Sequence, residues 1–311
     1  MVIKEDFFGI PQYTLSSEAL SVTVISFGAT VKSIKLFGKE LTLNYNTLEE
    51  YKSTTCYPGA LVGRYANRIK EGKLKINGKE YQLDVNNGKN HLHGGFCGTD
   101  KKVWQVSAVE ENSVSFTCFS PDGECGYPGN MEMGVKYSVW KNRFRIDFFG
   151  RCDTDTVFAP TTHTYFNLGG TPTVFGTKIK INGAGYLPVD EGLIPTGEVL
   201  PLEGDFGFSE FKEIQKNYDH CFVLNNGENA FCAASGGVCM TVSTDFPAIQ
   251  LYTGEFLQDG LKKNSGFAAE PEFCPDSPNK PQFASPLLEK GKEFRKYVEY
   301  TFENIQNIKK S

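Results

Sequence analysis

The sequence has 311 residues, of which 40% are apolar and 22% are charged, and its formal net charge is -5. This composition is that of a globular protein with enough apolar material for a large core. Lysines are spread along the chain and arginines are few, so no basic patch of the kind that binds nucleic acid is expected. No apolar run approaches the roughly 18 residues that a membrane span needs, so the sequence predicts none.

The nine cysteines are scattered and include no Cys-x-x-Cys pair, which argues against a zinc knuckle or a thioredoxin-type motif. Residues 1–6 lack the basic segment and the following apolar segment of a signal peptide. We therefore expect unpaired thiols and a cytoplasmic location, because reducing compartments keep thiols free.

Alternation of apolar and polar residues, the period of a β-strand, dominates the chain. Residues 20–34 form the first β-rich stretch. Residues 73–76 and 79–83 flank Asn77-Gly78, a pair that readily adopts the positive φ angles of a type I′ turn, and this pattern predicts a two-residue hairpin. Two further hairpins and three more β-rich stretches follow: 103–109 with 114–119, 133–140 with 144–149, and then 237–244, 249–253 and 294–302.

Helical periodicity is limited to residues 48–51 and 210–216. Strands that follow strands, separated by turn signals, are typical of a large all-β sandwich or barrel and not of alternating βαβ units. The 32 glycines and 15 prolines supply the turn residues. Because no low-complexity linker or fixed-period repeat divides the chain, we expect one domain over residues 1–311.

The four histidines, His91, His93, His163 and His220, are the first candidates for chemistry. A lone histidine is about as often a structural or surface residue as a functional one. His91 and His93 alternate on a predicted strand, which would place both rings on one face, as in some metal sites. Such a site also needs a carboxylate a few residues further on, and none is present there. No His-Glu-x-x-His motif occurs either, so the sequence disfavours metal catalysis.

Other reaction classes lack their signatures. The chain has no Gly-x-Ser-x-Gly nucleophile elbow, no catalytic cysteine signature and no phosphate-cradling glycine loop. Acid–base chemistry remains. Glu270 lies in the weakly polar segment 265–271, which could give its carboxylate a pKa suited to proton abstraction, although a surface Glu entering a loop is the commoner case. Asp219, between Tyr218 and His220, could bind a ligand hydroxyl or could simply open a turn.

Nine short segments, among them Leu92-His93-Gly94-Gly95 and Tyr218-Asp219-His220, occur in one order along the chain. In that order they resemble segments of the aldose 1-epimerase (galactose mutarotase) family. No single segment is decisive, but together they extend from about residue 27 to the C-terminal strand. The nine segments are residues 63–69, 92–95, 163–168, 188–190, 194–197, 218–220, 250–254, 266–270 and 275–279.

The resemblance implies an all-β fold: a large antiparallel β-sandwich of the galactose mutarotase-like supersandwich type, with few short helices and an open cleft for a free hexose. It also implies an isomerase that interconverts the α and β anomers of hexoses such as galactose and glucose. No metal or other cofactor, nucleic acid or membrane partner is implied, and the protein would be a monomer or a homodimer.

Residue roles follow from the same resemblance. Glu270 matches the base that removes the proton of the C1 hydroxyl, and His163 matches the acid that protonates the ring oxygen. His93 matches a second catalytic histidine, which hydrogen-bonds the sugar and helps to stabilise developing charge. Four further residues match positions that hold sugar hydroxyls: Asn67, Arg68, Asp219 and Gln250.

Three residues depart from the family pattern. Thr162 and Glu255 stand where Asn is common, and Glu272 stands where Gln is common. Carboxylates near Glu270 could raise its pKa or alter hydroxyl recognition. We expect these departures to affect which sugar is preferred more than which reaction is catalysed.

Three alternatives stay open on the sequence. A hexose-6-phosphate 1-epimerase would need an arginine cluster for the phosphate, and only Arg64 and Arg68 fall within the matched segments. A glycoside hydrolase would use two carboxylates but would not need His163. A non-catalytic carbohydrate-binding protein would need neither an acid nor a base.

Overall fold

The computed structural model describes residues 1–305, which are almost entirely β-strand and connecting loop. The predicted helical segment 48–51 lies in one α-helix, α1 (Leu48–Ser53), which begins with a reciprocal capping box between Thr47 and Glu50. Within the described range, no helix is both long and apolar enough to cross a membrane. The remaining helical elements are single turns of 3-10 helix at Lys70–Gly72, Thr99–Lys101, Glu124–Gly126, Gly204–Phe206 and Ser277–Asn279.

The first ten strands include the first predicted hairpin. Asn77 and Gly78 both have positive φ angles, 48° and 83°, as the sequence predicts for the turn between β8 and β9. The ten strands are β1 Val2–Phe7, β2 Ile10–Ser16, β3 Leu20–Ile25, β4 Thr30–Leu36, β5 Lys39–Glu40, β6 Leu61–Val62, β7 Arg68–Ile69, β8 Lys73–Ile76, β9 Lys79–Gln82 and β10 His91–Leu92.

The remaining strands include the other two predicted hairpins, β11–β12 and β13–β14. They are β11 Gln105–Val109, β12 Ser113–Ser120, β13 Met131–Trp140, β14 Arg143–Cys152, β15 Thr156–Val157, β16 Thr161–Thr162, β17 Tyr165–Phe166, β18 Lys178–Ile181, β19 Gly183–Tyr186, β20 Lys212–Glu213, β21 Asp219–Leu224, β22 Phe231–Ser235, β23 Val238–Thr244, β24 Ala248–Tyr252, β25 Phe267–Glu272, β26 Leu287–Leu288 and β27 Glu293–Asn304.

Three sheets contain most of the strands, and their strand pairings are antiparallel. One sheet has the order β1-β2-β3-β4-β5. A nine-stranded sheet has the order β11-β12-β13-β14-β27-β23-β22-β18-β20, and a third sheet has the order β17-β25-β24-β21-β19. The all-β, antiparallel prediction is confirmed. Short strands pair beside these sheets as β6 with β16, β7 with β10, β8 with β9 and β15 with β26.

Buried aromatic side chains join the sheets face to face. The rings of Tyr13 on β2 and Phe116 on β12 lie 6.0 Å apart, centroid to centroid. The rings of Phe166 on β17 and Tyr300 on β27 lie 5.4 Å apart. All four side chains are at most 3% exposed, so each removes a large apolar area from water. The sheet that contains β25 is thereby fixed against the nine-stranded sheet.

Residues 210–216 do not form the predicted helix. Strand β20 lies in this segment and pairs with β18 at one edge of the nine-stranded sheet. The backbone of Ile214 hydrogen-bonds the backbones of Thr177 and Gly176, and the Ile214 side chain is fully buried. Pairing with an existing sheet edge and burial of one side chain therefore outweigh a weak helical period.

The expectation that all nine thiols are unpaired is wrong for two of them. Cys97 and Cys125 form a disulfide across 28 residues of sequence. Asp84 lies beside the two sulfurs, and its carboxylate accepts the backbone N–H of Phe96. Pairing at such a distance depends on the tertiary fold and cannot be deduced from cysteine spacing. The cytoplasmic expectation therefore loses one of its two supports. The other seven cysteines are free: Cys56, Cys118, Cys152, Cys221, Cys232, Cys239 and Cys274.

Candidate active site

A cleft of about 350 Å³, within the size range of small-molecule sites, opens over strands β21, β24 and β25. All seven residues that the sequence singles out for catalysis or sugar binding line this one cleft: Glu270, His163, His93, Asn67, Arg68, Asp219 and Gln250. The other lining residues are Thr55, Cys56, Tyr57, Asn87, Leu92, Tyr165, Leu193, Tyr252, Phe256 and Gln258.

Strand register places the acidic and amide groups of the cleft. On β25, Glu270 lies directly opposite Gln250 of β24, and Tyr252 of β24 lies opposite Asp219 of β21. Residues two apart on a strand share a face, so Gln250 and Tyr252 project together. Antiparallel pairing of three neighbouring strands therefore brings together side chains that are up to 51 positions apart in the sequence.

Glu270 and His163 face each other inside the cleft. The distance from His163 Nε2 to Glu270 Oε2 is 3.7 Å, and both side chains are at most 6% exposed. The backbone of His163 is fixed by two hydrogen bonds, one to the carbonyl of Ala60 and one from the N–H of Gly59, both 2.9 Å long. Its ring centroid lies 4.8 Å from that of Tyr165. The imidazole is thus held in place by packing and by its backbone.

Burial shifts both groups away from their charged forms. It raises the pKa of Glu270 well above its ordinary value, and the negative charge of Asp219 adds to the effect while Arg68 opposes it. It lowers the pKa of His163 to about 4. In the empty cleft, both shifts favour the state in which Glu270 is protonated and His163 is neutral.

His93 is fixed in one tautomer by its neighbour Asn67. The backbone N–H of Asn67 donates to His93 Nδ1 over 3.1 Å, and the N–H of His93 donates to the carbonyl of Asn67 over 3.1 Å. Burial lowers the pKa of His93 well below its ordinary value, so the ring is neutral. Because Nδ1 accepts a hydrogen bond, Nε2 carries the proton and is the donor that this ring offers to a ligand.

A close approach of two backbones shapes the turn after His93. Gly94 has a φ of 94°, and a Cβ atom at this position would lie 1.8 Å from the carbonyl oxygen of Gly63. Only glycine fits such a contact. The paired glycines of the sequence are therefore explained by protein backbone, which approaches Gly94 to bring residues 63–68 beside His93.

The residues predicted to bind hydroxyls form one polar network. Gln250 Nε2 donates to Asp219 Oδ1 over 2.6 Å, and Arg68 Nη1 lies 3.9 Å from Asp219 Oδ2. Arg68 also donates from Nε to Asn87 and from Nη1 to Asn67. Three buried cleft atoms have no hydrogen-bond partner among residues 1–305, and a ligand rich in hydroxyls could satisfy them: Gln250 Oε1, Glu270 Oε2 and His163 Nδ1.

Several residues of the cleft were not predicted from the sequence. The Tyr57 ring lies 4.8 Å from that of His93 and 5.8 Å from that of His163, so it covers both imidazoles. Its signal is weak, since only the following Pro58-Gly59 marks a turn. Tyr165 and Tyr252 lie inside matched segments, and their positions beside the histidine and the glutamine there could have identified them.

Two of the four histidines lie outside the cleft. His91 is buried, with Nδ1 at 2.7 Å from the carbonyl of Asp84 and Nε2 at 2.6 Å from the Tyr127 hydroxyl. Burial lowers its pKa to about 4. The ring of His220 packs 4.8 Å from that of Phe206. Both rings are therefore held by contacts within the fold. His91 and His93 are only two residues apart in the sequence, but they contact different groups.

The three departures from the family pattern have different surroundings. Neither Thr162 nor Glu255 lines the cleft. Thr162 Oγ1 lies 3.0 Å from Thr164 Oγ1, and Glu255 forms an ion pair of 3.3 Å with Lys263. Glu272 is fully buried behind the cleft, two residues after Glu270 on β25.

The chain is similar in sequence to known proteins. The sequence profile of the aldose 1-epimerase family matches residues 11–301. The chain belongs to the aldose 1-epimerase family. Galactose mutarotase of Rattus norvegicus is 37% identical, with 94% of each chain covered, and aldose 1-epimerase of Escherichia coli (strain K12) is 34% identical, with 93% of this chain and 94% of the relative covered. These relatives are isomerases, and this aldose 1-epimerase family member is accordingly an isomerase.

Solved structures of family members share the fold. A GalM/aldose epimerase homologue from C. elegans superposes with a TM-score of 0.90 at 28% identity, covering 97% of this chain and all of the other. Galactose 1-epimerase from Lactobacillus acidophilus superposes with a TM-score of 0.88 at 29% identity, covering 97% and 98%. The galactose mutarotase-like fold that the resemblance implies is confirmed.

We predict that Gly94→Ala destabilises this aldose 1-epimerase family member more than Gly78→Ala. Both glycines have positive φ, so both variants carry backbone strain of about 1–2 kcal/mol. Only at Gly94 does the new methyl group meet a backbone carbonyl, whereas no atom lies within 4 Å at Gly78. Urea denaturation measures the difference. Equal free energies of unfolding for the two variants would contradict the close contact.

Proposed function

We propose that this protein is an aldose 1-epimerase that interconverts the α and β anomers of free hexoses, with galactose and glucose as substrates. The observation that carries the proposal is the pairing of Glu270 with His163 at 3.7 Å in a cleft that is also lined by the four side chains predicted to bind hydroxyls. A carboxyl and an imidazole so close together can handle the two protons that ring opening moves.

Ring opening assigns one proton transfer to each group. Glu270 removes the proton of the C1 hydroxyl, and the electrons of that O–H bond form the C1 carbonyl. The C1–O5 bond breaks as His163 gives its proton to O5. His93 donates from Nε2 to a sugar oxygen and stabilises negative charge there. The products are an open-chain aldehyde, a protonated Glu270 and a neutral His163.

Reclosing uses the same groups with exchanged roles. After rotation about C1–C2, Glu270 returns its proton to the carbonyl oxygen while His163 takes the O5 proton and O5 attacks either face of C1. The protonation state that burial favours in the empty cleft, protonated Glu270 with neutral His163, is the state that recloses the ring. Ring opening starts from the other protonation state of the pair, in which His163 holds the proton and Glu270 is ionised. The attraction between these two opposite charges offsets part of the cost of burying them.

The cationic residues favour a free sugar over a phosphorylated one. Arg64 is buried, and its guanidinium donates to the Ser120 side chain and to four backbone carbonyls, which leaves it no part in the cleft. Among the lining residues within positions 1–305, Arg68 is the one arginine and no lysine is present, and Asn67, Asn87 and Asp219 already contact Arg68. A phosphate would require more positive charge than this.

We predict that Glu270→Gln and His163→Asn each lower the rate of mutarotation about 10²- to 10⁴-fold, the contribution of one positioned acid or base. The measurement follows the optical rotation of freshly dissolved α-galactose and α-glucose with the spontaneous rate subtracted. Glu255→Gln makes the same carboxylate-to-amide change outside the cleft and retains activity. Wild-type protein that leaves the spontaneous rate of both sugars unchanged would exclude the proposed function.

We also predict the pH dependence of kcat/KM, which reports the groups of the free enzyme. The pair is active while it holds one proton. Activity falls as the pH drops through about 4, where His163 binds a second proton, and falls again at the raised pKa of Glu270, where the single proton is lost. Polarimetric rates across pH 3–10 give both limbs. An acid limb near 6.5, the ordinary value for His, would contradict the buried, neutral imidazole.

A further inference from the structure

Glu272 is a second buried carboxyl beside the proposed base. It ends strand β25 and is 0% exposed, although it does not line the cleft. Residues two apart on a strand project to the same face, so Glu272 lies on the same side of β25 as Glu270. Its partner across the strand pair is Ala248, which leaves room for a larger side chain.

No cation lies against Glu272 within residues 1–305. Glu272 Oε1 accepts a hydrogen bond of 3.1 Å from Asn67 Nδ2, and Oε2 is buried without a partner. The titratable and charged groups around it are Glu270, Asp219, Tyr65, Cys221 and Cys274. Burial raises the pKa of Glu272 well above its ordinary value, and Glu270 adds to the effect whenever it is ionised. These surroundings favour the neutral carboxylic acid.

The Asn67 side chain connects Glu272 with the cleft residue Arg68. Its Nδ2 is bound by Glu272, and its Oδ1 accepts from the backbone N–H of Arg68 at 2.9 Å and from Arg68 Nη1 at 3.4 Å. The backbone of Asn67 exchanges two hydrogen bonds with His93. If Nδ2 lost its acceptor, the amide could rotate and release the oxygen that holds Arg68.

We propose that Glu272 is a positioning residue that fixes the Asn67 amide in one orientation and thereby holds Arg68 where it meets the hexose. The inference deepens the proposed function and rests on it. Glu272 acts as a neutral acceptor through Asn67 and does not touch the sugar. A glutamine offers the same carbonyl oxygen without an ionisable group, whereas a methionine of similar length offers no acceptor of comparable strength.

The test compares wild type, Glu272→Gln and Glu272→Met by polarimetry on α-galactose, with thermal melting to check folding. We expect Glu272→Gln to keep kcat/KM within about threefold and to leave both pH limbs in place, since one neutral group replaces another. We expect Glu272→Met to lower kcat/KM about tenfold, the effect of releasing one buried hydrogen bond. If Glu272→Met does not fold, Asn67→Ala breaks the same bond, and adding Glu272→Gln to it should cause no further loss.

Two kinetic results overturn the inference. One is a folded Glu272→Met protein with wild-type kcat and KM, and the other is a Glu272→Gln protein whose alkaline limb moves to lower pH, since Glu272 would then carry charge. The guanidinium ¹⁵N shifts of Arg68 provide a readout that needs no turnover: they stay as in wild type with Gln and change with Met, because Met releases the Asn67 oxygen that accepts from Arg68 Nη1. An unchanged Arg68 signal in the Met variant also contradicts the inference, whereas an inactive wild type contradicts only the proposed function.

Discussion

The chemistry of this cleft depends on burying a carboxyl and an imidazole against each other. Away from water, neither Glu270 nor His163 is stable with an isolated charge, so the pair retains one proton and no net charge over a wide range of pH. A pair without net charge can donate a proton to one sugar oxygen and accept a proton from another. It needs no exchange with solvent between ring opening and reclosing, because the group that receives a proton in one step returns it in the next.

The scaffold contributes rigidity where that pair needs it. Glu270 lies on β25, next to the central strand of its sheet, and is fixed by its register with β24. His93 and Asn67 lie on loops that could not by themselves hold a defined geometry. The loops are fixed by specific contacts: the backbone of Gly94 on Gly63 and the two-way hydrogen bonding of Asn67 with His93. Groups held on strands and on tightly bonded loops keep a productive arrangement before the substrate arrives.

Local sequence patterns predicted the local parts of this structure. The hairpin at Asn77-Gly78 follows from the φ preferences of two residues, and the nine matched segments led to all seven proposed site residues in the cleft. Features that depend on distant contacts escaped prediction. The edge strand at residues 212–213, the Cys97–Cys125 disulfide and the burial of Glu272 each require partners far away in the chain, which no periodicity records. Tyr57 belongs to the same class.

The proposed mechanism requires one hexose to contact Glu270 and His163 at the same time, and a crystal structure of the Glu270→Gln protein with galactose tests this directly. We expect O1 of the sugar within about 2.6–3.2 Å of the residue 270 amide and O5 within the same distance of His163 Nε2. A galactose bound in this cleft with O5 turned away from His163, or bound only in another part of the protein, would contradict the mechanism.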